Sequence, residues 1–216
     1  MFDSSLANNT TINHDMASNK VYLLPKSHPD SSIWSRIINR QKDLRLLSLR
    51  LSPNSFSSTY AREVNFTEHD WEGRLQNPAA NTFIAIGPSE GELEGSHVNH
   101  LVSGTWAGMV VLVGPIRRVD ERKRAERYFD FELCGMFVLP YAQGTGFGKA
   151  LVTSAVDHAK VLGHEHEVKE INITLSVSVG NAQAMSLYQK MGFVVVNGDP
   201  AVDEVTMRLR FTLGEV

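Results

Sequence analysis

The period of the hydrophobic positions changes along this chain, and each change marks an element. Residues 21–24 form a short apolar run closed by Pro25, which suits a first strand. Asp30 stands where an N-cap belongs, and Ile33, Trp34, Ile37, Ile38 and Leu44 follow at helical spacing. Ser52-Pro53-Asn54-Ser55 breaks that pattern. Thr67 is placed to cap a second helical region carrying Trp71 and Leu75, which stops at Asn77-Pro78. Residues 82–86 and 101–113 read as strands separated by a Gly- and Glu-rich loop, 117–127 as a charged loop, and 128–138 as another strand.

Over 147–162, Phe147, Leu151, Val152, Ala155, Val156, Ala159 and Leu162 make one apolar helix face, which Gly163 can end. Residues 171–179 alternate without a fault: Ile171, Ile173, Leu175, Val177 and Val179 point one way, and Asn172, Thr174, Ser176 and Ser178 the other. Asn181 caps a short helix with Ala184, Leu187, Tyr188 and Met191, and Gly192 ends it. Strands at 193–196 and 205–211 complete a mixed α/β chain with no internal repeat.

The chain has 216 residues, which favours one domain over residues 21–216. Residues 1–20 are polar and are expected to form a disordered tail. Hydrophobic residues make up 42%, enough for a core. The net charge of −3 gives no reason to expect a nucleic-acid partner. The single cysteine, Cys134, rules out a disulfide within the chain and fits a reducing compartment. No stretch approaches the roughly 20 apolar residues of a membrane span. The N-terminus lacks the apolar core of a secretory signal. The expected location is cytoplasmic, with no membrane partner; a homodimer is left open.

Residues 138–149, between a strand and a helix, read Val-Leu-Pro-Tyr-Ala-Gln-Gly-Thr-Gly-Phe-Gly-Lys. Glycines let backbone approach an anion closely, and the N–H groups and dipole at a helix start favour phosphate. A tight turn without a ligand is the plain alternative. A Walker-type loop would need glycine at 143 and Ser or Thr at 150, but Gln143 and Ala150 stand there. A dinucleotide fingerprint from Gly144 would need glycine at 149, which is Lys149.

A third pattern fits. Gln143, Gly146 and Gly148 resemble the pyrophosphate loop of the GCN5-related N-acetyltransferase (GNAT) superfamily: Arg or Gln, two residues, Gly, one residue, Gly or Ala. Val138 and Pro140 stand where that family has Val-x-Pro. Asn181, Ala184, Leu187 and Tyr188 resemble its Asn-x-x-Ala-x-x-Leu-Tyr element, and Met191-Gly192-Phe193 continue it. The resemblance covers roughly residues 128–196. Phe147 is bulkier than the branched aliphatic residue usual there, so a core adjustment is expected.

The resemblance implies an acyl-CoA N-acyltransferase fold. Its central sheet is mixed and mostly antiparallel, flanked by helices, with parallel central strands at 128–138 and 171–179 that splay at one end. It also implies acetyl-coenzyme A as cosubstrate, entering that gap. The strand Met136, Phe137 and Val138 would pair with the pantetheine arm, and Gly135 marks a candidate bulge. The loop Gln143, Gly144, Thr145, Gly146, Phe147, Gly148 and Lys149 would hold the pyrophosphate. Asn181 would cap its helix and touch the pantetheine; the cap alone is the other reading.

Acetyl transfer needs a neutral amine, a proton acceptor, an oxyanion donor and an acid for the leaving thiolate. Tyr188 stands at the family's general-acid position; a core aromatic is the alternative. Glu132, a carboxylate in a mostly apolar strand, is the candidate base. Cys134 shares its face but is read as packing. The acceptor is expected to be a small-molecule amine, or else a peptide amine at a protein N-terminus or lysine; a non-catalytic coenzyme A binder is a third reading. The acceptor cleft is expected around residues 52–60 and the strand near Trp106. No metal site is expected: His164-Glu165-His166-Glu167 reads as a solvated turn, and His97 and His100 as loop residues. The basic run from Arg117 to Arg127 reads as solvated.

Overall fold

The computed structural model describes residues 20–87, 96–120, 126–199 and 203–214; most of the expected N-terminal tail lies outside them. Seven strands form one sheet: β1 Lys20–Leu23, β2 Ala80–Ile86, β3 Trp106–Asp120, β4 Glu126–Val138, β5 Glu170–Ser178, β6 Val194–Asp199 and β7 Glu204–Thr212. Their order is β1-β2-β3-β4-β5-β7-β6. Only β4 and β5 pair in parallel; the other neighbours are antiparallel. The fold is therefore the expected mixed α/β sheet flanked by helices.

The helices are α1 Ser31–Leu51, α2 Tyr60–Glu63, α3 Glu68–Gln76, α4 His97–Ser103, α5 Phe147–Glu165 and α6 Ala182–Lys190. Two starts follow directly from local chemistry. The Asp30 carboxylate accepts from the amides of Ser32 and Ile33 at the head of α1. Thr67 and Asp70 exchange bonds in a capping box at the head of α3.

Each face of the sheet carries its own core. One core joins α5 and α6 to the sheet through Leu151, Val152, Ala155, Phe129, Phe131 and Ile173. The other joins α1, α3 and α4 through Trp34, Ile37, Trp71, Ile84 and Leu101. The buried alternation of Ile171, Ile173, Leu175 and Val177 on β5 is as the sequence pattern predicts, whereas Val179 lies past the strand and is exposed.

Three elements differ from expectation. Residues 101–103 end α4 and do not begin β3: the Ser96 hydroxyl caps this helix by accepting from the amide of Asn99. His97 and His100 therefore lie on a helix, packed against Tyr22. Residues 117–120 continue β3, where Arg117 pairs with Phe129 and Arg118 with Tyr128; backbone pairing sustains this ribbon although the side chains of Arg117, Arg118 and Val119 are exposed. Gly163 does not end α5, which runs to Glu165. A Cβ at Gly163 would stand 2.6 Å from Ile171 and 2.7 Å from Leu213. Each large buried side chain of α5 contributes about 1.5–3 kcal/mol, which outweighs the roughly 1 kcal/mol that a helical glycine costs.

Two irregularities position the site. Pairing of β4 with β5 ends at Glu132 and Thr174, although β4 continues to Val138 and β5 to Ser178. The strands separate beyond that point. On the other side of β4, Val111 faces Cys134 while Met109 faces Phe137, so β4 holds one extra residue there. Gly135 sits in this bulge at φ +62°, a left-handed conformation open to glycine.

Candidate active site

The extra residue reverses the faces of β4. Before it, Phe129, Phe131 and Leu133 enter the α5 core, which turns Glu132 and Cys134 to the other side. After it, Phe137 joins the α1 core, and Met136 and Val138 pack toward α5. Without the bulge, these even-numbered residues would share one side. With it, Glu132 and Cys134 face one cavity, and Met136 and Val138 line another.

The second cavity, about 460 Å³, lies between the separated end of β4, the glycine turn and α6. Met136, Phe137, Val138, Gln143, Gly144, Gly146, Gly148, Lys149, Asn181 and Tyr188 line it, joined by Leu187. Thr145 and Phe147 belong to the same turn but their side chains do not line it. The Thr145 hydroxyl donates to the carbonyl of Ala142 at 2.7 Å. The Phe147 ring is buried in the α5 core, which accommodates its bulk.

At the mouth of this cavity stands the start of α5. Gly146 occupies the cap position at φ +94°, with no side-chain cap. The first bond into the helix runs from the amide of Ala150 to the carbonyl of Gly146, at 3.0 Å. The amides of Phe147, Gly148 and Lys149 therefore have no acceptor within the helix, and the positive end of its dipole is open. A Cβ on Gly148 would meet Leu187 at 3.2 Å and Met136 at 3.4 Å, so bulk there narrows the gap. The Gln143 side chain donates to the Val138 carbonyl at 3.0 Å and ties the loop to its strand. Asn181 caps α6 by accepting from the amide of Ala184 at 3.1 Å.

The first cavity, about 470 Å³, lies between the sheet and the N-terminal helices. Its floor includes Met109, Val111, Glu132, Cys134 and Ser176, and its opposite wall Gln41, Arg45, Phe56 and Arg74. Residues 55–57, from the segment expected to border an acceptor cleft, form part of it. Trp106 does not: it is buried in the α1 core, and β3 reaches the cavity further along, at Met109. Ser55 lines both cavities, which adjoin along β4.

Tyr188 is 5% exposed and packs against Phe193. Burial, and then the neighbouring Cys134, push its hydroxyl up to about 12. Burial pushes the Cys134 thiol up to about 11; Glu132 adds to this, and Arg45 and Arg74 act against it. A thiol so raised is protonated at neutral pH and is no ready nucleophile.

The sequence pattern did not reveal Glu63. Its side chain is 0% exposed. Its carboxylate accepts from Arg45 Nε at 3.0 Å and Nη2 at 2.8 Å, and from Arg74 Nη1 at 3.1 Å. Burial alone would raise its pKa, but the bonds from Arg45 and the charges of both arginines hold it at about 2. The residue lies on a four-residue helix, too short to show a period.

Residues 103–195 match the family model described as the acetyltransferase (GNAT) domain. That stretch is similar to a GNAT acetyltransferase domain. The match runs from the end of α4 through the first residues of β6, so it includes the glycine turn and the separated strands. The helices α1 to α3 that wall the first cavity lie outside it. Solved structures share the GNAT domain's fold at low identity. Arabidopsis thaliana NAA60 with a bisubstrate analogue is 12% identical, covering 90% of this chain and 100% of its own, with a TM-score of 0.54. The PaiA N-acetyltransferase of Thermoplasma acidophilum with coenzyme A is 14% identical, covering 89% and 99%, at 0.54. The spermidine N-acetyltransferase of Vibrio cholerae with coenzyme A and spermine is 16% identical, covering 89% and 95%, at 0.50. No curated protein matches the chain. Among the described residues, no helix is long and apolar enough to cross a membrane, and no group of three His, Cys, Asp or Glu side chains could hold a metal ion.

Proposed function

We propose that this protein transfers the acetyl group of acetyl-coenzyme A to the amine of a small molecule, by direct attack in a ternary complex in the cytoplasm. The observation that carries this reading is the pair of adjoining cavities where β4 and β5 separate. One has an open helix N-terminus suited to pyrophosphate. The other has the Glu132 carboxylate on its floor.

The residues fit such a cosubstrate. The amides of Gly148 and Lys149 receive the pyrophosphate, with the Lys149 side chain beside them. The separated part of β4 pairs with the pantetheine arm, and Asn181 adds a contact beyond its cap. Thr145 and Phe147 contribute backbone only. An alkyl amine with pKa near 10.4 costs about 4.6 kcal/mol to deprotonate at pH 7. Glu132, directly or through water, takes that proton. The amine nitrogen then bonds to the thioester carbon, and the oxyanion draws on the backbone N–H of Met136.

As the C–S bond breaks, Tyr188 gives its proton to the departing sulfur. A hydroxyl raised to about 12 would be a weak acid toward a solvated thiolate of pKa near 8.5. Its contribution is therefore at the low end for a general acid.

Acetyl-coenzyme A at a hundred times its dissociation constant should stabilise the fold by about 2.7 kcal/mol. Release of free thiol should then depend on an added amine. A thermal melt unmoved by saturating acetyl-coenzyme A would overturn the proposal.

A further inference from the structure

The cavity beyond the glycine turn is charged in two opposite senses. Gln41 and Arg45 stand four residues apart on α1, and so on one face of it, and both line the cavity. Arg74 reaches it from α3. Both oxygens of Glu63 are taken up by these two arginines, so two guanidinium charges meet one carboxylate. One positive charge is left over at this wall. Gln41 is only 6% exposed, and its Oε1 has no partner among the described residues. An acceptor unmet in a cavity wall points to an occupant that donates a hydrogen bond there, as an ammonium does. Glu132 and Glu204 line the same cavity from β4 and β7.

Building on the acetyl-transfer reading, we infer that the acceptor is a small amino-acid-like zwitterion. Its carboxylate docks on the outward donors of Arg45 and Arg74. Its amine lies against Glu132, next to the junction with the other cavity. Arginine suits the first task because its guanidinium keeps several donors after two are engaged by Glu63. A polyamine has no carboxylate to place on the arginine wall.

The test compares free amino acids with their own amides, and with spermidine, as acceptors, by thiol release at saturating acetyl-coenzyme A. Charge-assisted bonds to a carboxylate are worth roughly a 10- to 100-fold difference in kcat/KM. The best free acid should exceed its amide by that much. Arg74→Gln should bring the acid down to the level of its amide, while coenzyme A affinity by calorimetry stays unchanged. Arg74→Lys, which keeps the charge, should recover part of the preference. Amides or spermidine acetylated as fast as the acids would overturn this inference and leave acetyl transfer standing. If no amine of any class is acetylated, both readings fall.

Discussion

Replacing Glu63 by Gln keeps the shape of the side chain and removes the negative charge between Arg45 and Arg74. The carboxyl is held at about 2 against an ordinary 4.5, because its buried oxygens accept three charged bonds. That drop, at 1.36 kcal/mol per pH unit, is worth about 3 kcal/mol of stability at pH 7. Arg45 carries most of it: its side chain is 12% exposed, whereas that of Arg74 is 38% exposed and partly screened. Glu63→Gln also leaves two guanidinium groups facing each other, a loss in the same direction. For a chain of this length, about 3 kcal/mol lowers the melting temperature by about 6–12 °C. The sign with pH is fixed by the depressed value. The contribution is whole above 4.5 and disappears as pH falls through 2, with about half remaining at pH 3. Urea and thermal denaturation of both proteins from pH 7 to pH 3 measure it. The gap should narrow steadily toward acid. Melting within about 2 °C of wild type at pH 7, or a gap that does not change with pH, would refute the reasoning.

Tyr188→Phe should lower turnover about 100-fold, the low end of general acid catalysis, with little change in stability or coenzyme A affinity, in steady-state rates and titration; full activity would remove the hydroxyl from the chemistry. Gly148→Val should weaken coenzyme A binding at least 10-fold, because its Cβ already meets the tips of Leu187 and Met136, while a melt shows a cost of about 1 kcal/mol or less. Glu132→Gln should reduce the rate most at low pH and displace the acidic limb of the rate profile; an unchanged profile would exclude it as proton acceptor.

Much of the fold is legible in local sequence because the forces involved are local. Asp30 and Thr67 cap α1 and α3 through bonds spanning two or three residues. The faces of α5 and β5 are visible as periods of 3.6 and 2. The glycine turn stands in its motif, since Gly146 needs only its own backbone freedom to open the helix end. Where the readings depart, a distant partner decides. Gly163 stays helical because Ile171 and Leu213 receive it, and residues 117–120 extend a strand because β4 pairs with them.

The site divides in the same way. Glu132, Tyr188 and the loop from Gln143 to Lys149 could be singled out as candidates from sequence alone: the tyrosine and the loop by their resemblance to the GNAT pattern, and Glu132 as a carboxylate in a mostly apolar strand. That Glu132 and Met136 open onto different cavities could not. One extra residue at Gly135 reverses the strand, and its effect exists only against the register of β3. Nor could the cluster of Arg45, Glu63 and Arg74, whose members come from three separate helices and meet only when α1 to α3 pack together. A charge in sequence has no partner until the fold supplies one. The sequence by itself determined α1, α3, α5 and α6, the alternating strand β5 and the glycine turn; the tertiary structure alone decided which side chains share a cavity and what charge that cavity presents.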